Sequence, residues 1–375
     1  VPVPKWNDFG NIWSTMRELD VNAIRDESER ALLIACVGHA AALDQLEPLL
    51  RRGPERYPTP GPNPLELIPL EHASERAAGL ASASMLLLAV DARQPLTPAE
   101  AAAFNTLEGQ TAPFLVVLMY GDRMPGSATA LSPMIRARTI AITDPAALDA
   151  ADKLATAMLT RLPAELHLVA ARSLPGLRAI YARELIGSTS VTNATYSLAS
   201  SVPEQIPILS IPFAAADIIV LTKNQAIMVY RLALAYGAPP EFQARIREVL
   251  PVVGGAFLWR QAARSLVGLI PVWGIVPKVA IAYAGTYTTG IVAWRWYESG
   301  ELVSTDQMKQ ISQEAIAIGR ARAGEIIASA RSSARSLADQ AAARTSASGG
   351  LGQRLKNAIP FRRKPRELNP PRSDK

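Results

Sequence analysis

Cysteine is nearly missing from this chain: Cys36 is the single one among 375 residues. An internal disulfide is thereby excluded, and a reducing compartment fits. Cys36 lies inside an apolar run, which suits a small core residue better than a nucleophile. Histidine is almost as scarce. His39, His72 and His167 stand far apart without ligand spacing, so no metal is expected. There is no G-x-S-x-G nucleophile elbow, and the carboxylates Glu66, Glu71 and Glu75 read as a solvated face. Charge is sparse: 19% of residues are charged against 49% hydrophobic. Net positive charge is absent outside the tail. Residues 353–375 carry eight Lys/Arg and two Asp/Glu, which equals the whole net charge of +6. Nucleic acid is not expected as a partner, because only Phe361 accompanies those basic residues as a stacking aromatic. The opening VPVPKWNDFG is polar and Pro-rich, so no secretory signal is expected.

What is present divides along the chain. A charged helical lead over 1–30 precedes the run ALLIACV at 31–37, suited to a buried parallel strand. Further strands are predicted at 65–70 (weakened by Pro69), 85–91 (MLLLAVD), 114–120 (FLVVLMY) and 138–142. Helices are predicted after Gly38 to about Leu50, at 73–84, at 98–108 with Thr97 as its cap, and at 144–161 opening on Pro145. Strands alternating with helices give an α/β unit with a doubly wound parallel sheet over 31–162. A mainly helical part over 163–300, an Ala-rich helix over 301–348 ended by Gly349 and Gly350, and a basic tail over 349–375 follow.

The order of strand, turn and helix over 31–162, with AVDARQPLTPAE at 89–100, resembles the GTPase domain of bacterial Era-type GTPases. Such a domain needs a P-loop, G-x-x-x-x-G-K-[ST], whose amides wrap phosphates while Lys neutralises them and a hydroxyl holds Mg²⁺. Starting at Gly38, the matching positions are Leu43, Asp44 and Gln45, so only the first glycine survives. The D-x-x-G motif is missing from LELIPLEHASE, and N-K-x-D has become Met119-Tyr120-Gly121-Asp122, keeping Asp122 alone. Three lost motifs imply a degenerate, pseudo-GTPase domain with no cofactor. The competing expectation is an active GTP-binding protein whose nucleotide site, around Gly38, Asp44, Gln45 and Asp122, is unorthodox.

The stretch 249–297 draws the strongest functional expectation. Between Leu266 and Trp294 the only charge is Lys278, and Trp259, Trp273, Trp294, Trp296 and Tyr297 mark its ends and middle. Such a run suggests membrane insertion, with Trp, Tyr and Arg at the headgroup level. Pro271 and Pro277 interrupt it, and 279–297 could just reach across about 30 Å of hydrocarbon. A re-entrant arm plus one span, or a hairpin with both ends cytoplasmic, fits; a buried helical hairpin in a core is the rival. Ala280, Ala284 and Thr288, four apart, leave one face smooth for close packing. The segment from Ile206, with ADIIVLTKNQ and VGGAFLWRQAARSLVGLIP, resembles the bacterial membrane-domain family known as domain of unknown function 697, over about 171–297. That resemblance implies a membrane-associated protein and no particular reaction. Read from the residues alone, Asp217, Lys223, Asn224 and Gln225 are polar groups in an apolar helical run, costly unless paired, and Lys278 could partner Asp217. A helix lying along a surface, with these groups in water, is the blander alternative.

Together these features predict a pseudo-GTPase scaffold at the cytoplasmic membrane, its N-terminal domain and tail cytoplasmic. The expected partners are membrane lipid, held by the basic tail, and a protein of unknown identity, with self-association of the Ala-rich helix also open. A transporter or channel is disfavoured by too few full-length spans.

Overall fold

Burial on both faces explains why the strands read as unbroken apolar runs. The computed structural model describes residues 21–73, 75–76, 80, 82–107, 112–123, 131–199, 210–241 and 275–357. In these, β1 (Ile34–Gly38), β2 (Leu65–Pro69), β3 (Met85–Asp91), β4 (Phe114–Met119) and β5 (Thr139–Ile142) form one parallel sheet in the order β2-β1-β3-β4-β5. Side chains alternate across it. Ile34, Cys36, Leu87, Ala89, Leu115 and Val117 face one side; Ala35, Val37, Leu86, Leu88, Val116 and Leu118 face the other. The first face is covered by α2 (Ala40–Arg51) and α5 (Ala150–Arg161), the second by α3 (Pro98–Leu107) and α4 (Pro133–Ala137). The α/β, doubly wound expectation therefore holds. Burial raises the Cys36 thiol far above its usual range, which leaves it a protonated core residue.

Two compact units make up the chain, Val1–Ala323 and Gly324–Lys375. Within the first, packing does not break after Leu162: the core beneath α2 and α5 runs on into the helices that follow. These are α6 (His167–Ser173), α7 (Arg178–Ala199), α8 (Ser210–Ala235) and α9 (Ile275–Ser299), with α1 (Asn22–Ser28) packed against α6 and α8. A 3₁₀ turn at Pro175–Leu177 separates α6 from α7, as proline's missing donor requires. Gly176 sits where a Cβ would lie 2.4 Å from Leu49 O, so the turn presses directly on α2. Two buried arginines complete this junction. Arg178 donates to Pro54 O (2.6 Å) and Ala171 O (3.3 Å), and Arg172 to Leu234 O (2.8 Å) and Ala238 O (3.0 Å) at the end of α8. Carbonyls at a helix C-terminus carry partial negative charge and so offset the buried cation. Gly237, at φ +85°, turns the chain there, with Ala238 N donating to Ala233 O. Arg231 of α8 pairs in fork geometry with Glu27 of α1, at 2.8 and 2.7 Å.

α9 packs along α7 and α8. Val279, Ala280, Ala284, Thr286, Thr288, Val292, Ala293 and Tyr297 are all buried. Gly290 lies so near Ile186 of α7 that a Cβ would stand 2.7 Å from Cγ1. α10 (Thr305–Asn357) begins in the first unit, where Gly319 meets Ala280 O at 2.6 Å from its would-be Cβ. Among the described residues no helix is long and apolar enough to cross a membrane. The span predicted over 279–297 is not found: those residues belong to α9, which falls short of that combination of length and hydropathy and packs against α7 and α8. A helix that is apolar or small on every side suits either setting, and here neighbouring helices supply the cover. Residues 242–274, with the predicted re-entrant arm, lie outside the described residues. In the second unit α10 continues through Gly349 and Gly350 to Asn357, past its predicted end. Glycine costs a helix about 1 kcal/mol without forcing a stop, and Leu351, Gln353, Arg354 and Leu355 beyond it are good helix formers.

Candidate functional site

An open parallel sheet in the order β2-β1-β3-β4-β5 places its ligand crevice outside the carboxyl ends of β1 and β3, where the strand order reverses. Chain leaves the sheet there at three points: Gly38-His39 after β1, Asp91 to Arg93 after β3, and Tyr120 to Asp122 after β4. The first exit is abrupt. β1 ends at Gly38 and α2 starts at Ala40, so His39 is the only residue between strand and helix. Gly38 is required by packing. A Cβ there would lie 2.0 Å from Ala89 O and 2.7 Å from its carbonyl carbon.

The remaining groups form a connected polar array. Asp91, the last residue of β3, is buried and accepts from Arg93 Nε (2.9 Å) and Nη2 (2.7 Å) on its two oxygens, while the Arg93 amide donates to Oδ1 at 3.0 Å. These Arg93 hydrogen bonds hold the Asp91 carboxyl below its usual range. The guanidinium lies over the Tyr120 ring, 3.8 Å from its centroid. Tyr120 is the one described non-glycine residue with positive φ, +64°. Such a backbone persists only where its surroundings over-determine it; here the Tyr120 amide donates to Ile142 O at 2.9 Å and the ring is stacked under a cation.

His39 sits on the other side of Asp91. Its Nδ1 accepts from the Asp91 amide at 3.0 Å, which places the imidazole proton on Nε2, 3.5 Å from Glu100 Oε1. Glu100 is itself fixed by a capping box at the start of α3: it accepts from Thr97 N (2.7 Å) and Oγ1 (2.8 Å), and Thr97 Oγ1 accepts from Glu100 N (3.2 Å). The Thr97 amide is the main reason that the Glu100 carboxyl is held low. Nδ1 is thus occupied by an amide, while Nε2 is buried near the Glu100 carboxylate and makes no hydrogen bond among the described residues.

The sequence-predicted residues fall differently. Leu43 is buried in the core, Asp44 is exposed, and Gln45 is half-buried, all inside α2 and none in a loop. Asp122 lies exposed in the bend after β4. No hydrogen bond or ion pair joins Gly38, Asp44, Gln45 and Asp122 to one another among the described residues. No family model matches the chain, and no curated protein matches it either. Function therefore has to be read from these contacts. The array of His39, Asp91, Arg93, Glu100 and Tyr120 was not predicted as a site; its one sequence signal is the D-A-R that ends an apolar strand, a charge placed where a core strand stops.

A second polar cluster lies inside the helical bundle. Asn193 of α7 is buried and donates to Thr286 Oγ1 of α9 at 2.8 Å; Asn224 of α8 donates to Asn193 Oδ1 at 2.7 Å. Gln225 also donates to Thr286 Oγ1, at 3.2 Å. Asn224 and Gln225 thus each reach a partner on another helix, while Lys223 is exposed. Asp217 and Lys278 belong to α8 and α9, but their side chains lie outside the described residues, and so does the proposed pairing between them. Among the described residues no three His, Cys, Asp or Glu side chains gather as a metal site.

Proposed function

We propose that this chain is a non-hydrolysing scaffold: a GTPase-like sheet without a nucleotide site, joined to a helical bundle and a long C-terminal helix, and acting through protein and lipid contacts. The observation that carries this reading is the single residue between β1 and α2. A P-loop interposes a glycine-rich stretch at that place, whose successive amides wrap the phosphates. Here the positions that would supply the second glycine, the lysine and the hydroxyl are turns of helix, at Leu43, Asp44 and Gln45. The crevice beside them is spanned by Arg93, Asp91 and His39, joined by hydrogen bonds, with Glu100 3.5 Å from His39 Nε2. Lipid contact is assigned to the +6 tail over 353–375, each basic residue near an anionic surface contributing about 1 kcal/mol. On that reading the protein lies at the cytoplasmic face of a membrane and binds a protein partner there.

Isothermal titration of the full chain with Mg·GTP, and separately with Mg·ATP, tests the central statement. No saturable heat is expected at nucleotide concentrations up to the millimolar range. Micromolar affinity for either would overturn it in favour of an active nucleotide-binding protein.

A further inference from the structure

Arg93 is an odd occupant for a ligand crevice. Its side chain is 52% exposed, yet its fork is spent on a carboxylate that is almost wholly buried. Nε and Nη2 meet the two oxygens of Asp91 at 2.9 and 2.7 Å, the side-on geometry that a guanidinium makes and an ammonium cannot. One face of the same group rests on the Tyr120 ring at 3.8 Å. The acceptor and the ring are both fixed by the fold. Asp91 ends a central strand, held by its own amide to His39 Nδ1, and Tyr120 is locked in a left-handed backbone at the end of the next strand. Arg93, by contrast, lies two residues beyond the strand, and among the described residues its Nη1 makes no hydrogen bond. The receptor is rigid; what fills it is a half-exposed side chain.

The geometry points to a guanidinium-binding site, made by the Asp91 carboxylate and the Tyr120 ring face, which the chain's own Arg93 fills and which an arginine side chain of a protein partner takes over by displacing it. The exchange conserves every contact at the receptor: one fork leaves Oδ1 and Oδ2 as another arrives, and Arg93 passes into water. Because Arg93 is tethered beside the site, a partner must bring additional contacts to compete, so the site is closed to free arginine and to weak partners. Lysine fits less well, since its compact ammonium lacks the planar fork that matches the two oxygens and the flat face that stacks on the ring. This inference goes beyond the scaffold reading by naming the chemistry of the partner.

Emptying the site makes it measurable. In full-length Arg93→Ala, thermal unfolding is followed while N-ethylguanidinium is added, with ethylammonium at equal ionic strength as control. Ethylguanidinium at ten times its Kd should raise the folding constant about elevenfold, whereas ethylammonium should change it far less, and the wild-type chain should show no difference between the two cations. Adding Asp91→Asn to Arg93→Ala should abolish the response. If Arg93→Ala does not fold, Arg93→Gln is titrated in its place. Equal responses to both cations, or a wild-type response as large as that of the variant, would overturn the assignment. No nucleotide enters the experiment, so its failure is separable from failure of the scaffold reading.

Discussion

Replacing Gly38 by alanine separates two explanations for that glycine. If it were a remnant of a phosphate loop, a methyl group would trouble ligand binding and leave folding alone. The structure says otherwise. A Cβ at position 38 would stand 2.0 Å from Ala89 O, 2.7 Å from its carbonyl carbon and 2.9 Å from its Cα, where ordinary contact is 3.4 to 4 Å. Relief needs a movement of roughly 1.4 Å, the gap between 2.0 and 3.4 Å, by the backbone of a central strand. That strand cannot yield cheaply, since it pairs with β1 on one side and β4 on the other and the same Ala89 carbonyl accepts the His39 amide at 3.0 Å. Overpacking a core with side chains costs about 1–3 kcal/mol, and here rigid backbone is struck, so Gly38→Ala should cost at least about 3 kcal/mol. Gly187→Ala is the control. It lies within α7 with nothing within 4 Å of its would-be Cβ, so helix propensity alone should act and stabilise by about 0.8–1 kcal/mol. Urea unfolding followed by tryptophan fluorescence, comparing midpoints at unchanged m-value, reads both. A Gly38→Ala midpoint indistinguishable from wild type would refute the steric argument and restore the phosphate-loop explanation.

Two further outcomes are expected. Asn193→Val should destabilise by about 1–3 kcal/mol, since it strips Asn224 Nδ2 of its acceptor inside the bundle and removes the donor to Thr286; a double-mutant cycle with Thr286→Val should show coupling well above the scatter of independent sites, and additivity would dismiss the network. Stability should also fall in acid through Asp91. Its folded carboxyl is held low by Arg93, so its contribution is fully present above the unfolded value of about 3.9 and is lost as pH falls through the folded one. Acid titrations of wild type and Arg93→Gln check this: the variant should lose less stability than wild type over that window, and parallel curves would contradict it.

How much of this was legible in the sequence depends on how local each feature is. β3 and β4 stand out as MLLLAVD and FLVVLM because parallel strands covered on both faces have no polar side to interrupt them. Thr97 announces α3 because a capping box is a contact across three residues. The phosphate-loop motif was legible only as residue types. Residue types at 38–45 keep only the first glycine of the motif, and the helix that starts at Ala40 makes Asp44 an exposed helical residue. The crevice array is invisible for the opposite reason. His39 follows β1, Asp91 ends β3, Glu100 lies in α3 and Tyr120 follows β4, and only the strand order brings them side by side; Asp91 and Arg93 alone are near enough in sequence to be read together.

The helical bundle shows why composition could not decide between a span and a core. Lipid and neighbouring side chains make the same demand of a helix surface, so the small and apolar residues that make up most of α9 satisfy both. Hydrogen bonding fixes the register in either setting. Asn193 and Asn224 meet on α7 and α8, and Gln225 and Asn193 converge on one Thr286 hydroxyl of α9, which in turn donates to Ala282 O at 3.0 Å. Three helices must hold one register for that hydroxyl to receive two amides, which a slip by a turn of any of them would end. Within KNQ, Asn224 and Gln225 tie α8 to the two helices it lies on, and Lys223, beside them in sequence, is exposed.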